Sequence, residues 1–135
     1  EKYCQSFLRD AILKNYIASS HDVSDGGLAV ALSECCILSS KGANIQLEEK
    51  NTRKDNILFS EGGSRIIFSL NKKEEPNFLK FLENNSEDFG ENIYVKKIGF
   101  VSEQNLDITL KDKTLCNLTV DELTEKFNNS ISSYF

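Results

Sequence analysis

The run Ser20-His21-Asp22-Val23-Ser24-Asp25-Gly26-Gly27-Leu28-Ala29-Val30-Ala31-Leu32-Ser33-Glu34 constrains this chain more than any other feature. A short strand over 17–20 leads into a polar turn, two glycines follow, and a helix over 25–40 begins. The backbone N–H groups at such a helix start lack intrahelical partners, and the helix dipole places partial positive charge there. Gly26 and Gly27 remove the Cβ atoms that keep a ligand or another backbone at a distance. Two readings stay open. One is an anion or phosphate seat, although the spacing is neither G-x-G-x-x-G nor a Walker loop. The other is a capped helix start, with Ser24 or Asp25 as N-cap and the glycines serving close packing.

The rest of the chain narrows the classes. At 135 residues it has room for a single domain (1–135) with one ordinary core, and no window approaches a membrane span. A net charge of −5, with lysines dispersed among acids, argues against nucleic-acid binding, which needs dense cationic contacts to phosphates. Cys4, Cys35, Cys36 and Cys116 form no C-x-x-C pair, and His21 is the single histidine, so no metal site is expected. Cys35, on the helical face of Leu28, Ala31 and Leu32, reads as a small buried hydrophobe, and free thiols of this kind fit a reducing cytoplasm. The absence of an initiator Met, and a start inside a helical pattern, point to a fragment of a longer polypeptide.

Along the chain, Tyr3, Phe7, Leu8, Ala11 and Ile12 recur at helical spacing and predict a helix over 3–15. Gly42 suits the C-cap of the second helix. Residues 43–47 alternate as a strand, with Ile45 and Leu47 on one face. The charged stretch 48–56 reads as a solvated loop, and Ile57-Leu58-Phe59 as a buried turn. The apolar run Ile66-Ile67-Phe68 predicts a central strand over 65–70. A third helix over 73–84 carries Pro76 in its first turn and Phe78, Leu79 and Leu82 on its inner face. Strands over 93–101 and 106–110 and a closing helix over 120–133 complete the order α-β-α-β-β-α-β-β-α. This order predicts an α/β fold: two layers, a mixed sheet with helices.

Two constellations can carry chemistry. His21-Asp22 sits at a strand end, where α/β proteins commonly place ligands; the histidine can donate to a phosphate, and Asp22 can fix its tautomer or hold the turn. Glu61-Gly62-Gly63-Ser64-Arg65 offers a carboxylate for hydroxyl or amine donors and a guanidinium for phosphate or carboxylate, or else an internal Glu61–Arg65 bridge. A Ser-His-Asp hydrolase is excluded, because Ser24 and His21 share one turn and no G-x-S-x-G elbow exists. No residue is expected to be catalytic. The cleft-adjacent candidates are His21, Asp22, Ser24, Asp25, Gly26, Gly27, Glu61, Ser64 and Arg65.

The pairing of H-D-V-S-D-G-G-L-A-V-A-L (21–32) with Leu58-Phe59-Ser60-Glu61-Gly62-Gly63-Ser64-Arg65 resembles the C-terminal domain of the aminoimidazole-ribonucleotide-synthetase superfamily. Within it, the motifs are most similar to those of the phosphoribosylformylglycinamidine synthases, in the synthetase subunit. Selenophosphate synthetase and thiamine-monophosphate kinase carry a glycine-rich turn there with other flanking residues. The resemblance implies an aminoimidazole-ribonucleotide-synthetase C-terminal-domain-like fold and a parent ligase of de novo purine biosynthesis that uses ATP and magnesium. In that family the synthetase is an internal duplication whose first-half copy of this domain holds substrate with a Glu-Ser-Gln triplet. Here the triplet position reads Glu61-Gly62-Gly63, which implies the second-half copy, inactive as an isolated fragment. It further implies the remaining synthetase domains as partners. If Phe135 is the natural end, a separate glutaminase and a small accessory subunit join them; otherwise a fused glutaminase follows.

Overall fold

The computed structural model describes residues 2–48, 53–85 and 93–130. Its elements run α1 (Lys2–Leu13), β1 (Ser19–Asp22), α2 (Gly27–Ser39), β2 (Gly42–Leu47), α3 (Lys54–Phe59), β3 (Ile66–Ser69), a 3-10 turn (Lys72–Glu74), α4 (Glu75–Asn84), β4 (Gly99–Ser102), β5 (Asn105–Leu110), β6 (Lys113–Thr119) and α5 (Val120–Asn129). They fall into two compact units, Glu1–Val23 with Gly62–Lys96, and Ser24–Glu61 with Lys97–Phe135.

The first unit pairs β1 with β3 antiparallel, Ser19 opposite Ser69 and Asp22 opposite Ile66. Residues 17–20 were expected to form the strand. The ladder instead runs through the polar residues Ser19–Asp22, which lie opposite Ile66–Ser69. Ile66-Ile67-Phe68 is not a central strand either: β3 belongs to a two-stranded sheet and is half-buried along its length. The apolar content of this unit comes from helices. Phe7 and Ala11 of α1 and Phe78 and Phe81 of α4 form the buried core, with Tyr16, Ile17, Phe68 and Leu82 against it. Pro76 lies in the first turn of α4 as expected. The inner face is turned, however: Phe81 is buried and Leu79 is 51% exposed.

The second unit is a four-stranded sheet of order β4-β2-β5-β6. β2 and β5 run parallel and the other neighbours antiparallel, so the sheet is mixed. Helix α2 packs on β2 and β5, α5 packs on β6, and the two helices touch, which makes the second layer. Alternation does the burying: Ala43, Ile45 and Leu47 of β2 and Leu106, Ile108 and Leu110 of β5 point to the helices. Ala31, Leu32 and Cys36 of α2, Ile57 and Leu58 of α3 and Leu123 of α5 are also buried. Cys36, rather than Cys35, therefore lies in the core. Helix α2 is apolar nearly all round, so its period marks no single inner face.

Two connections explain the register. β4 and β5 flank β2, yet only Glu103 and Gln104 join them. The joining chain crosses the start of β2, where a Cβ on Gly42 would lie 2.5 Å from the amide nitrogen of Asn105. Gly42 is thus a crossing point and not a helix cap; Ser40, left-handed at φ 52, is the C-cap of α2. β5 turns into β6 through Lys111 and Asp112, both at positive φ (48 and 62), as a two-residue primed turn requires.

Of the other expected elements, α3 begins inside the stretch read as a loop, whose residues 49–52 lie outside the described residues. The strand expected over 93–101 is confined to Gly99–Ser102. α5 ends at Asn129, and residues 131–135 of the expected closing helix lie outside the described residues. Thr119 caps α5 in a capping box: its hydroxyl accepts from Glu122 N at 3.1 Å, and the Glu122 carboxylate accepts from Thr119 N at 2.8 Å. These bonds from the Thr119 backbone and hydroxyl hold the Glu122 carboxyl below its usual range. A depressed carboxyl stabilises the fold above its unfolded pKa, and that contribution is lost as pH falls through the folded value. Protection factors of the amides in the first turn of α5, with the intrinsic exchange rate divided out, are therefore expected to fall as pH drops through the folded pKa of Glu122. A Glu122→Gln variant is expected to lose most of that pH dependence, read by NMR.

Candidate functional site

The glycine turn is built within the second unit. Gly26 is the N-cap of α2 at φ 77, ψ 1, and Gly27 follows at φ +70. Neither Ser24 nor Asp25 caps the helix, and Gly26 makes no side-chain cap. Two successive left-handed residues turn the chain so that Gly27 N donates to Ser24 O at 3.1 Å. A Cβ on Gly27 would lie 2.7 Å from the carbonyl carbon of Phe59 and 2.8 Å from Leu58 O. The packing role expected of the glycines is thus met at Gly27, which lets the start of α2 lie against the end of α3.

The anion at this helix start comes from the protein itself. Gly26 N donates to the Glu61 carboxylate at 2.8 Å. A carboxylate at a helix N-terminus meets both the N–H group and the positive end of the dipole. Sequence reasoning placed Glu61 beside Arg65 and missed this bond, because 35 residues separate the partners and no local spacing signals it. Ser24 and Asp25 are exposed on the turn.

His21, Asp22, Ser64 and Arg65 belong to the first unit. Val23 N donates to Arg65 O at 2.9 Å, which extends the β1–β3 ladder by one pair. Alternation then puts His21 and Arg65 on one face as diagonal neighbours and Asp22 on the other. His21 Nδ1 lies 2.6 Å from Asp22 O. A carbonyl only accepts, so Nδ1 carries a proton. The Asp22 carboxylate is 4.0 Å from that nitrogen, so the backbone rather than this side chain fixes the tautomer. Ser64 is exposed and follows Gly63, which has φ +83.

Burial holds Cys35, Cys36 and Cys116 in the thiol form. Burial pushes the Cys36 thiol up to about 11, with Cys35 and Cys116 adding to it, and burial also raises Cys35 and Cys116. For Cys36 this cuts the thiolate fraction at mildly alkaline pH by about a hundredfold. Iodoacetamide labelling followed by mass spectrometry is expected to leave Cys36 unmodified in the folded chain and to modify it fully in denaturant. Among the described residues no three His, Cys, Asp or Glu side chains gather closely enough to hold a metal ion. No helix among them is long and apolar enough to cross a membrane.

A mixed-sheet α/β domain with a double-glycine helix start, locked by a distant glutamate, defines the class. The model of the AIR synthase related protein C-terminal domain matches residues 1–109, and the chain belongs to that family. The subunit PurL of phosphoribosylformylglycinamidine synthase from Prochlorococcus marinus subsp. pastoris (strain CCMP1986 / NIES-2087 / MED4) is 84% identical over 135 residues, covering 100% of this chain. The chain spans only 17% of that relative's length. Among solved structures, T. maritima PurL complexed with ATP matches 91% of this chain and 21% of its own, with TM-score 0.74 and 16% identity. PurLQS from Thermotoga maritima matches to the same degree, TM-score 0.74 at 16% identity. At that identity the likeness is one of fold.

Proposed function

We propose that this chain is the C-terminal domain, in the second of two duplicated halves, of an ATP-dependent synthetase that converts formylglycinamide ribonucleotide to the amidine. The observation that carries the reading is the 84% identity, over every residue, to a PurL subunit. In this reaction ATP activates the amide oxygen of the ribonucleotide, and ammonia displaces phosphate to form the carbon–nitrogen bond. Such chemistry rests on positioned cations and donors around the transferring group. We assign ATP and magnesium to other domains of the parent, because the motifs that hold magnesium in the family lie outside these residues. Glu61 and the Gly26–Gly27 turn fix the start of α2, and His21 with Arg65 offers donors to an anion on one face of the β1–β3 ladder. The parent works in the cytoplasm with the remaining synthetase domains, a separate glutaminase and a small accessory subunit. The Thermotoga maritima PurLQS structure supports a multi-subunit form.

The test uses the full-length enzyme that contains this segment. Arg65→Ala is expected to raise KM for the ribonucleotide or ATP by about tenfold, the worth of one charge-assisted hydrogen bond, with Tm nearly unchanged. A second reading, a packing module with no ligand contact, is favoured by one observation: the Gly26 amide is already taken by Glu61. It predicts the reverse, a lower Tm for Asp25→Ala and Arg65→Ala with both KM values unmoved. Amidine formation from ammonia by the isolated 135 residues overturns both readings.

A further inference from the structure

The step Asp25-Gly26 carries a chemistry of its own. Of the seven glycines in the chain, only Gly26 follows an aspartate or asparagine. The backbone nitrogen after an aspartate can attack its side-chain carboxyl, and a glycine there has no Cβ to crowd the approach. Asp25 is exposed on its turn. The backbone around it is nevertheless held twice. Gly27 N donates to Ser24 O at 3.1 Å and closes the turn Ser24–Gly27. Gly26 at φ 77, ψ 1, preceded by Asp25 without a positive φ, makes that turn type II. The second hold is the bond from Gly26 N to the Glu61 carboxylate, 2.8 Å long.

We propose that Asp25-Gly26 is a site of isoaspartate formation, held closed in the folded chain by the Glu61 clamp on Gly26 N. The reaction needs only water. Gly26 N bonds to Cγ of Asp25, the Cγ–OH bond of the protonated carboxyl breaks, and the amide hydrogen leaves with that hydroxyl as water. The five-membered imide then takes up water at either carbonyl. One opening restores aspartate. The other runs the main chain through the side-chain carbonyl, at unchanged mass and with one added backbone methylene. Ring closure requires Cβ of Asp25 and Gly26 N to eclipse across the Cα–C bond. A type II turn holds that bond extended instead, with the nitrogen turned away from the side chain. Glu61 pins the same peptide plane through its N–H, so the nitrogen reaches Cγ only when both contacts open. The added methylene would part Gly26 N from Glu61, so the modification costs the chain its helix start.

Peptide mapping by mass spectrometry reads the product as an Asp25 peptide of unchanged mass, shifted retention and resistance to an aspartate-specific protease. Asp25→Glu is expected to abolish the signal, because a glutamate would have to close a larger ring. In a weeks-long incubation of the 135-residue chain, Asp25 is expected to convert at least about tenfold more slowly than in a free peptide of residues 20–30, since reaction requires local opening. Glu61→Ala is expected to raise the rate about tenfold, the worth of one charge-assisted hydrogen bond. Glu61→Gln keeps an acceptor oxygen and is expected to fall between wild type and Glu61→Ala. Ser64→Ala, on the same loop but outside the clamp, is expected to leave the rate unchanged. Conversion in the folded chain as fast as in the peptide overturns the proposal, as does a rate unmoved by Glu61→Ala. A slower rate in Glu61→Ala overturns it too, for Glu61 would then be the base that draws off the amide proton. Should circular dichroism show Glu61→Ala unfolded, Glu61→Gln decides alone, and no rise over wild type overturns the clamp.

Discussion

Replacing Gly27 by alanine is expected to cost about 3–5 kcal/mol, a large share of the stability of any domain this size. Two separate penalties add. At φ +70 a residue with a Cβ sits in the left-handed region, which costs of order 1–3 kcal/mol. The new methyl also meets backbone, the carbonyl carbon and Cα of Phe59 and the oxygen of Leu58, all within 2.8 Å. Backbone cannot rotate aside as a side chain does, so α3 must move off α2. Neighbouring glycines make the control series. At Gly26 (φ +77) the nearest atoms to a Cβ belong to the Val30 side chain, and at Gly63 (φ +83) it meets nothing within 4 Å. The expected order of destabilisation, from urea unfolding of the three alanine variants, is Gly27, then Gly26, then Gly63. An equal loss at all three would mean that φ alone matters and that the α2–α3 contact contributes nothing.

That series bears on what a sequence reveals. The double glycine was legible as a helix start, since nothing else in the chain pairs two glycines with a long apolar run. Its partners were not, because Glu61 and the Phe59 backbone are brought there by tertiary folding. β2 was legible at its burial pattern, with Ile45 and Leu47 on one face, and β5 as a strand over 106–110. β6 was missed for a physical reason: its hairpin turn is Lys111-Asp112, which lacks the Asn-Gly or Asp-Gly signal, and its residues are half-buried without strong alternation. The apolar run of β3 was misread because periodicity records that a strand is apolar, not how many neighbours it has. Cys35 and Cys36 illustrate the same limit, since a helix apolar on most sides gives no phase from which to choose between adjacent residues.

Phe78→Ala is expected to be about as costly, roughly 3–5 kcal/mol, by the loss of a buried ring and the cavity left behind. Phe78 is 4% exposed and sits among aromatic neighbours. Its ring lies 5.4 Å from Phe68, 6.1 Å from Phe7 in an edge-on contact and 6.5 Å from Phe81. Those rings come from α1, β3 and α4, so one side chain joins three of the elements of its unit. Among the described residues that unit has a two-stranded sheet, and a lone pair of strands is not stable in water without packing against helices. The ring cluster therefore supplies the packing that holds this strand pair. Phe78→Leu keeps most of the volume and is expected to lose under half as much. Leu79→Ala, on the exposed side of the same helix turn, is expected to change stability by less than about 0.5 kcal/mol. Hydrogen exchange locates the damage: amides of the β1–β3 ladder should lose protection in Phe78→Ala. If they keep full protection while Leu79→Ala proves the more harmful, the inner face of α4 has been assigned to the wrong residues.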